Sequence, residues 1–392
     1  MTHPHAPTRL KAILRYALLM PLLTMPARST AAAPRYKDTI DTRIGRKTSN
    51  GIWIHPACRE RAGLRMGPFV NMPDRSVLTI DSTRCLVSTD DGRTWKAFPI
   101  FKDTARFLIR MERALIRTRK GTLILAFMNE KEHRRSWNSQ THDAPGAVLP
   151  TYVVRSHDDG RTWQEPQLMH RDWTGAVRDI IQTDDGHVVF TSMMLLSNPG
   201  RNSVLTYTSA DEGRSWTRSN IIDLGGIGHH SGVTESTLEQ MRDGSLLMYM
   251  RTNWGSLWET RSQDKGRTWT DFRSTPVMAS SAPAMFKRLH SGRLILLWNQ
   301  SMPQGKTSYP LRGGDKEWSE VFQSNHREEL SVSFSDDDGR HWSDPVVIAK
   351  VTQPNSQVSY PYFLERNPGE IWVTTMFGGL RLSFLEKDIA PR

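Results

Sequence analysis

Five segments of this chain repeat one eight-residue pattern, and that repeat limits the folds open to it more than any other feature. They are Ser88–Trp95 (STDDGRTW), Ser156–Trp163 (SHDDGRTW), Ser209–Trp216 (SADEGRSW), Ser262–Trp269 (SQDKGRTW) and Ser335–Trp342 (SDDDGRHW). Successive copies start 53 to 73 residues apart. Each residue type has a physical task. The Asp carboxylate accepts hydrogen bonds from backbone N–H groups within a tight turn. Gly takes a positive φ without steric penalty. Trp lays a large ring on the sheet beneath. The pattern closes a hairpin, and five copies mark a repeat architecture.

A second pattern counts the units independently. Apolar stretches such as GPFVNM, ALIRT, DIIQT, STLEQM, AMFKRL and PYFLER each lead into a turn and a short strand, near Ser76, Thr122, His187, Ser245, Arg293 and Glu370. Each pair reads as a hairpin. In the first five units the Ser-Asp-Gly-Trp motif adds a second hairpin. Four strands per unit and six units predict an all-β, six-bladed β-propeller. The sixth unit ends near Phe384 without the motif, so residues around Gly51 to Ile54 are expected to supply an outer strand and close the ring. Closure removes exposed strand edges, which a solenoid or stacked sandwiches would leave.

Residues 1–33 read as a signal peptide: Arg9, Lys11 and Arg15 precede the apolar stretch Tyr16 to Met25, and small residues follow from Ser29 to Ala33. The apolar run is too short to span a bilayer. The expected organisation is residues 1–33 removed on export, a linker over 34–50 and a propeller over 51–392. The protein is then periplasmic or extracellular, with no membrane insertion after signal removal. The formal charge of +11 falls to about +7 without that segment. The basic residues are scattered rather than clustered, which speaks against nucleic acid as a partner. Cys58 and Cys85 are the two cysteines. Export permits a bridge between them, and two free thiols are the alternative. No Cys/His spacing reads as a zinc site.

The repeated motif, known as the Asp box, together with six units and the residues of the inner strands, resembles the sialidase superfamily of glycoside hydrolases. The resemblance runs from about Gly63 to Phe384. It implies three arginines from separate blades on a sugar carboxylate, a task suited to the planar, always charged guanidinium. By unit and position these correspond to Arg65, in Arg65-Met66-Gly67-Pro68, Arg251, in MYMRT, and Arg327, in REELSVSFSDDDG. The resemblance also implies a tyrosine nucleophile with a glutamate as its base. Tyr360 lies nine residues before Gly369, and Glu235 lies nine before Gly244. The same offset in different units places both at one end of the innermost strands. A phenol needs a neighbouring base to become a nucleophile, and a neutral one avoids repelling a substrate carboxylate. The proton donor implied by the family is an aspartate after the first inner hairpin. Asp81 is the acid near that place, where it either donates the proton or caps a turn.

Other polar residues stand at strand entrances. Arg110, Glu112 and Arg113 enter the second unit, Arg178 and Asp179 enter the third, and His229 and His230 precede Glu235. Arg113, Arg178, Asp179 and His230 are candidates to line the cavity. The long connection from Lys131 to Pro150 holds Trp137, either to stack on a sugar or to pin the loop. The implied function is an exo-acting hydrolase that removes a terminal acidic sugar from a glycan, without metal or organic cofactor. A hydrolase or lyase acting on a uronic acid, and a non-catalytic glycan-binding propeller, are the competing readings. Oligomeric state is not legible.

Overall fold

The computed structural model describes residues 40–228, 230–314, 321–353 and 355–391. The expected signal peptide therefore lies outside the described residues. Six antiparallel sheets form the blades, each with its first strand innermost. Blade one comprises Phe69–Asn71, Val77–Ile80, Arg84–Ser88 and Lys96–Pro99; blade two comprises Ile109–Arg117, Leu123–Asn129, Val148–Ser156 and Gln167–Asp172. Blades three and four begin with Ile180–Gln182 and Thr234–Gln240 and repeat the order. Blade five begins with Met285–Arg288 and blade six with Ser359–Asn367. This is the expected six-bladed propeller.

The second strand of each blade is sandwiched by neighbouring blades on both faces. Leu123–Asn129, Leu246–Arg251 and Leu294–Trp298 are buried along their whole length. Such strands read as continuous apolar runs rather than alternating ones. The core is consequently divided into six clusters, one between each pair of adjacent blades. Truncating a leucine in such a cluster to alanine costs about 2–5 kcal/mol.

The Asp boxes join the third and fourth strands of blades one to five. In the first, Asp90 Oδ1 accepts from Thr94 N (2.9 Å), and Thr94 Oγ1 donates to Oδ2 (2.7 Å). Ser88 Oγ accepts from Gly92 N (2.8 Å), and Trp95 Nε1 donates to Gly92 O (3.1 Å). In the fifth box His341 stands where the others have Thr or Ser, and its Nδ1 meets Asp337 Oδ2 in place of the hydroxyl. Each box also locks onto the preceding blade. A Cβ on Gly160, in the blade-two box, would lie 2.6 Å from Cys85 Sγ and 3.0 Å from Leu78 Cδ1 in blade one. The blade-one box closes the circle: Gly92 faces Trp372 of blade six.

Ring closure differs from the expectation. Trp53–Ile54 does not complete blade six; it pairs with Ala349 and Lys350 and extends blade five. The closing strand is Arg59–Glu60, which pairs with Ser383 and Leu382. An outermost strand faces solvent, so two exposed charged residues suit it. Ile52 and Ile54 instead fill the core between blades five and six. Within the segment expected as a linker, Arg46–Lys47 forms a strand on Trp53–Ile54. The cysteines are not bridged: Cys58 is buried between blades five and six, Cys85 between blades one and two. Burial pushes both thiols up to about 12.

Candidate active site

The innermost strands all begin at one mouth of the central axis, and the residues at their entrances converge there. Glu235 opens the blade-four strand and Tyr360 the blade-six strand. Both have positive φ, 32° and 62°. That conformation is costly for a bulky side chain and persists where surrounding structure enforces it, often at functional sites. Arg251 ends the second strand of blade four, opposite Thr234 in register. Its Nη1 donates to the Tyr360 hydroxyl at 3.0 Å and to Glu235 Oε2. Its Nε and Nη2 donate to Ser281 Oγ at 3.2 and 2.9 Å. Arg327, just before the third strand of blade five, donates from Nη2 to Ser281 O, and its guanidinium carbon lies 5.6 Å from the Tyr360 ring centroid. Ser281 thus holds both arginines, one through its hydroxyl and one through its carbonyl.

Arg178 approaches from blade three. Its guanidinium carbon lies 5.5 Å from the Tyr360 ring and 4.5 Å from the Tyr362 ring, and Nη2 donates to Pro361 O at 2.9 Å. Arg178 is 1% exposed, yet among the described residues its Nε and Nη1 have no hydrogen-bond partner, nor does Arg327 Nε. Buried donors left open at a site call for a ligand or water to satisfy them.

The electrostatics match a resting acid–base pair. Burial, reinforced by the Glu235 charge, pushes the Tyr360 phenol up to about 12, against the pull of Arg251 and Arg327. Burial disfavours the Glu235 carboxylate too. Arg251, Arg178 and the Tyr360 hydroxyl outweigh that penalty and hold the carboxyl below its ordinary range. The phenol is therefore neutral beside an ionised base. Three guanidinium groups around this pair leave the mouth positive.

The structure brings together Tyr360, Glu235, Arg251, Arg327 and Arg178. Asp179 is a tie between blades: its Oδ1 pairs with Lys287 Nζ at 2.7 Å, while Oδ2 accepts from Thr237 Oγ1 (2.6 Å) and Leu238 N (2.9 Å). Asp179 and Arg178 also line a cavity of about 290 Å³ that continues along the axis past Tyr362 and Lys287. Arg113 ties blades one and two, donating to Gly67 O at 3.2 Å and to Ile80 O. His230 is half-buried in the loop leading to Glu235; His229 lies outside the described residues. Arg65 is exposed. At the position that interrupts the arginine motif, a Cβ on Gly67 would sit 2.7 Å from Tyr362 Cβ. Blade six approaches too closely there for a larger residue.

Asp81 caps a turn. Its Oδ1 accepts from Thr83 N (3.0 Å) and Arg84 N (2.8 Å), and Oδ2 pairs with Arg84 Nη2 at 2.6 Å. Burial works against the carboxylate, but Arg84 and the two N–H groups prevail and hold Asp81 below its ordinary range. Trp137 pins its loop: the Arg135 guanidinium carbon lies 5.6 Å from the ring, and a Cβ on Gly200 would meet the ring edge at 2.9 Å. Sequence reasoning missed Ser281, which has no motif of its own. It named Glu112 without a role, although Glu112 lies nine residues before Gly121, the offset that picked out Glu235 and Tyr360.

Known proteins place this architecture. Residues 110–373 match the family model described as a BNR repeat-like domain. The chain is 26% identical over 212 residues to a sialidase from Bacteroides fragilis, an overlap of 48% of this chain and 37% of that protein. It thus spans well under half the length of that relative. A protein of unknown function from Dyadobacter fermentans aligns with a TM-score of 0.57 at 14% identity, covering 84% of this chain and all of that one (100%). The Hadza microbial sialidase Hz136 aligns with a TM-score of 0.56 at 17% identity, covering 85% and 66%. At these identities the structural likeness speaks for the fold. The chain belongs to the BNR repeat-like family and is a six-bladed β-propeller, a fold it shares with the sialidase structure above.

Proposed function

We propose that this protein is an exported, exo-acting glycoside hydrolase of sialidase type, releasing a terminal sialic acid from a glycan with retention of configuration. Tyr360 attacks the anomeric carbon as Glu235 takes its proton, forming a covalent glycosyl–enzyme. Water then displaces the sugar, and Glu235 returns the proton to the phenol. Sialidases with a tyrosine nucleophile depart from the two-carboxylate pattern of most glycosidases. Arg251 and Arg327 bind the substrate carboxylate, with Arg178 adding positive charge beside Tyr360. The observation that carries this reading is the meeting of Tyr360 and Glu235 on one nitrogen of Arg251. A non-catalytic binding site has no need of a phenol and base buried together.

A uronic acid is the second substrate reading. It is favoured by Asp81, the acid at the place the family resemblance implies, which is tied into a turn by Arg84. Hydrolysis of a fluorogenic sialoside by the wild type beside Tyr360→Phe decides between them. Turnover that collapses in the variant supports sialidase chemistry. No turnover by the wild type sinks the sialic acid reading and directs the search to uronate-containing glycans.

A further inference from the structure

We propose that Glu112 is the proton donor of this site, protonating the glycosidic oxygen as the leaving group departs; this rests on the hydrolase reading above. Glu112 lies in the innermost strand of blade two, Ile109–Arg117. Its offset of nine residues from Gly121 equals those of Glu235 from Gly244 and Tyr360 from Gly369. Equal offsets in a propeller put side chains at equal height around the axis. The pairing is irregular between Ile109 and Arg113, as it is between Thr234 and Thr237 around Glu235. Such bulges re-aim a side chain away from the regular pleat. Three blades thus present a chemically active residue at one level: Glu112, Glu235 and Tyr360.

The surroundings suit an acid rather than a second base. The Glu112 side chain is 12% exposed, and Arg110 Nε is 3.5 Å from its Oε2. Arg110 also serves Glu130, at 2.7 Å from Nη1, so its charge is shared. Glu235 from blade four, Arg178 from blade three and Tyr360 from blade six also act on Glu112. Burial, followed by repulsion from Glu235, raises the Glu112 carboxyl to about 7, with Arg110 and Arg178 opposing. Two carboxylates in one site are driven apart in this way, one ionised and one protonated. Asp81, pinned by Arg84, is held low instead.

In the first step the Glu112 O–H proton passes to the glycosidic oxygen as that oxygen's bond to the anomeric carbon breaks and the Tyr360 oxygen bonds to the same carbon. The aglycone leaves as a neutral alcohol. In the second step the water oxygen bonds to the anomeric carbon as its proton passes to the Glu112 carboxylate, the carbon–Tyr360 bond breaks, and Glu235 returns its proton to the phenol oxygen. Each cycle restores both residues.

The test compares two sialosides, one with an alkyl alcohol as leaving group and one with nitrophenol, on wild type and Glu112→Gln. A missing proton donor harms the poor leaving group. The expected loss of kcat/KM, which reports the first step alone, is about 10²–10⁴-fold on the alkyl substrate and a few-fold on the nitrophenyl one. The wild type alone gives a second reading that needs no variant. Its kcat/KM on the alkyl substrate should fall as pH rises through about 7, with no such limb on the nitrophenyl substrate. Equal losses on both substrates, or full alkyl activity in E112Q, overturn the assignment while leaving the hydrolase reading intact. Absence of turnover by the wild type on both overturns the reading and the donor role together.

Discussion

Arg251 and Tyr360 are joined by a hydrogen bond of 3.0 Å from guanidinium Nη1 to the phenol oxygen, and that same nitrogen holds Glu235. One corner of one side chain thus fixes nucleophile and base relative to each other. The other edge of Arg251 is taken by Ser281. Under the proposed function, a substrate carboxylate would replace the Ser281 hydroxyl rather than find an idle guanidinium. Preorganisation of this kind removes orientation costs from the reaction.

Removing that guanidinium leaves Glu235 buried without its main counter-charge. Arg251→Met is expected to destabilise the fold by about 3–5 kcal/mol, the usual cost of breaking a buried ion pair from one side. Adding Glu235→Gln should recover part of the loss. Urea unfolding of the single and double variants measures both. Equal stability of Arg251→Met and wild type would show that water, not the protein, solvates Glu235.

The contacts between Asp boxes and the preceding blades make a sharp prediction about glycine. Gly160→Ala places a Cβ against Cys85 Sγ and Leu78 at a residue with φ 83°. Gly146→Ala, with φ 72° and nothing within 4 Å, carries the backbone strain alone. Gly160→Ala should lose stability by about 1–3 kcal/mol more, the range for overpacking a filled core. Thermal melts of the two variants compare them directly. Matching losses would mean that the box does not key one blade to the next.

Much of this architecture is legible in the sequence because its signals are local. Ser88, Asp90, Gly92, Thr94 and Trp95 bond mainly among themselves, so eight letters suffice to recognise a box. Tyr360 and Glu235 are reachable because a fixed distance from a turn glycine fixes height along the axis. The closing strand Arg59–Glu60 is hidden, since two exposed charged residues carry no strand pattern. Ser281 is hidden for another reason. Its partners Arg251 and Arg327 lie 30 and 46 residues away along the chain, and no spacing encodes their meeting at the axis. Arg178 is legible as a polar residue at a strand entrance, but its bond to Pro361 O in blade six is not.

Acid should weaken the protein through His170. This residue lies between blades two and three, 8% exposed, with Nδ1 2.8 Å from the Tyr207 hydroxyl. Burial holds its imidazole down to about 4, against an ordinary value of 6.5. Between those values the unfolded chain binds a proton that the native state refuses. The contribution is therefore complete above about pH 6.5 and is lost as pH falls towards 4. Its size is on the order of 3 kcal/mol. Unfolding free energy measured across that window should fall in the wild type and fall less in His170→Gln. Parallel curves would place the acid sensitivity elsewhere.

The central claim is that Tyr360 becomes covalently bonded to the sugar. The most direct measurement is mass spectrometry of a proteolytic digest after incubation with 2,3-difluorosialic acid, whose anomeric fluorine leaves as fluoride and whose second fluorine slows release of the glycosyl–enzyme. The account predicts one modified peptide, with the added sugar on Tyr360, and no modification of Tyr360→Phe. A sugar carried by another residue, or steady turnover of a sialoside with no labelled peptide at all, would contradict it.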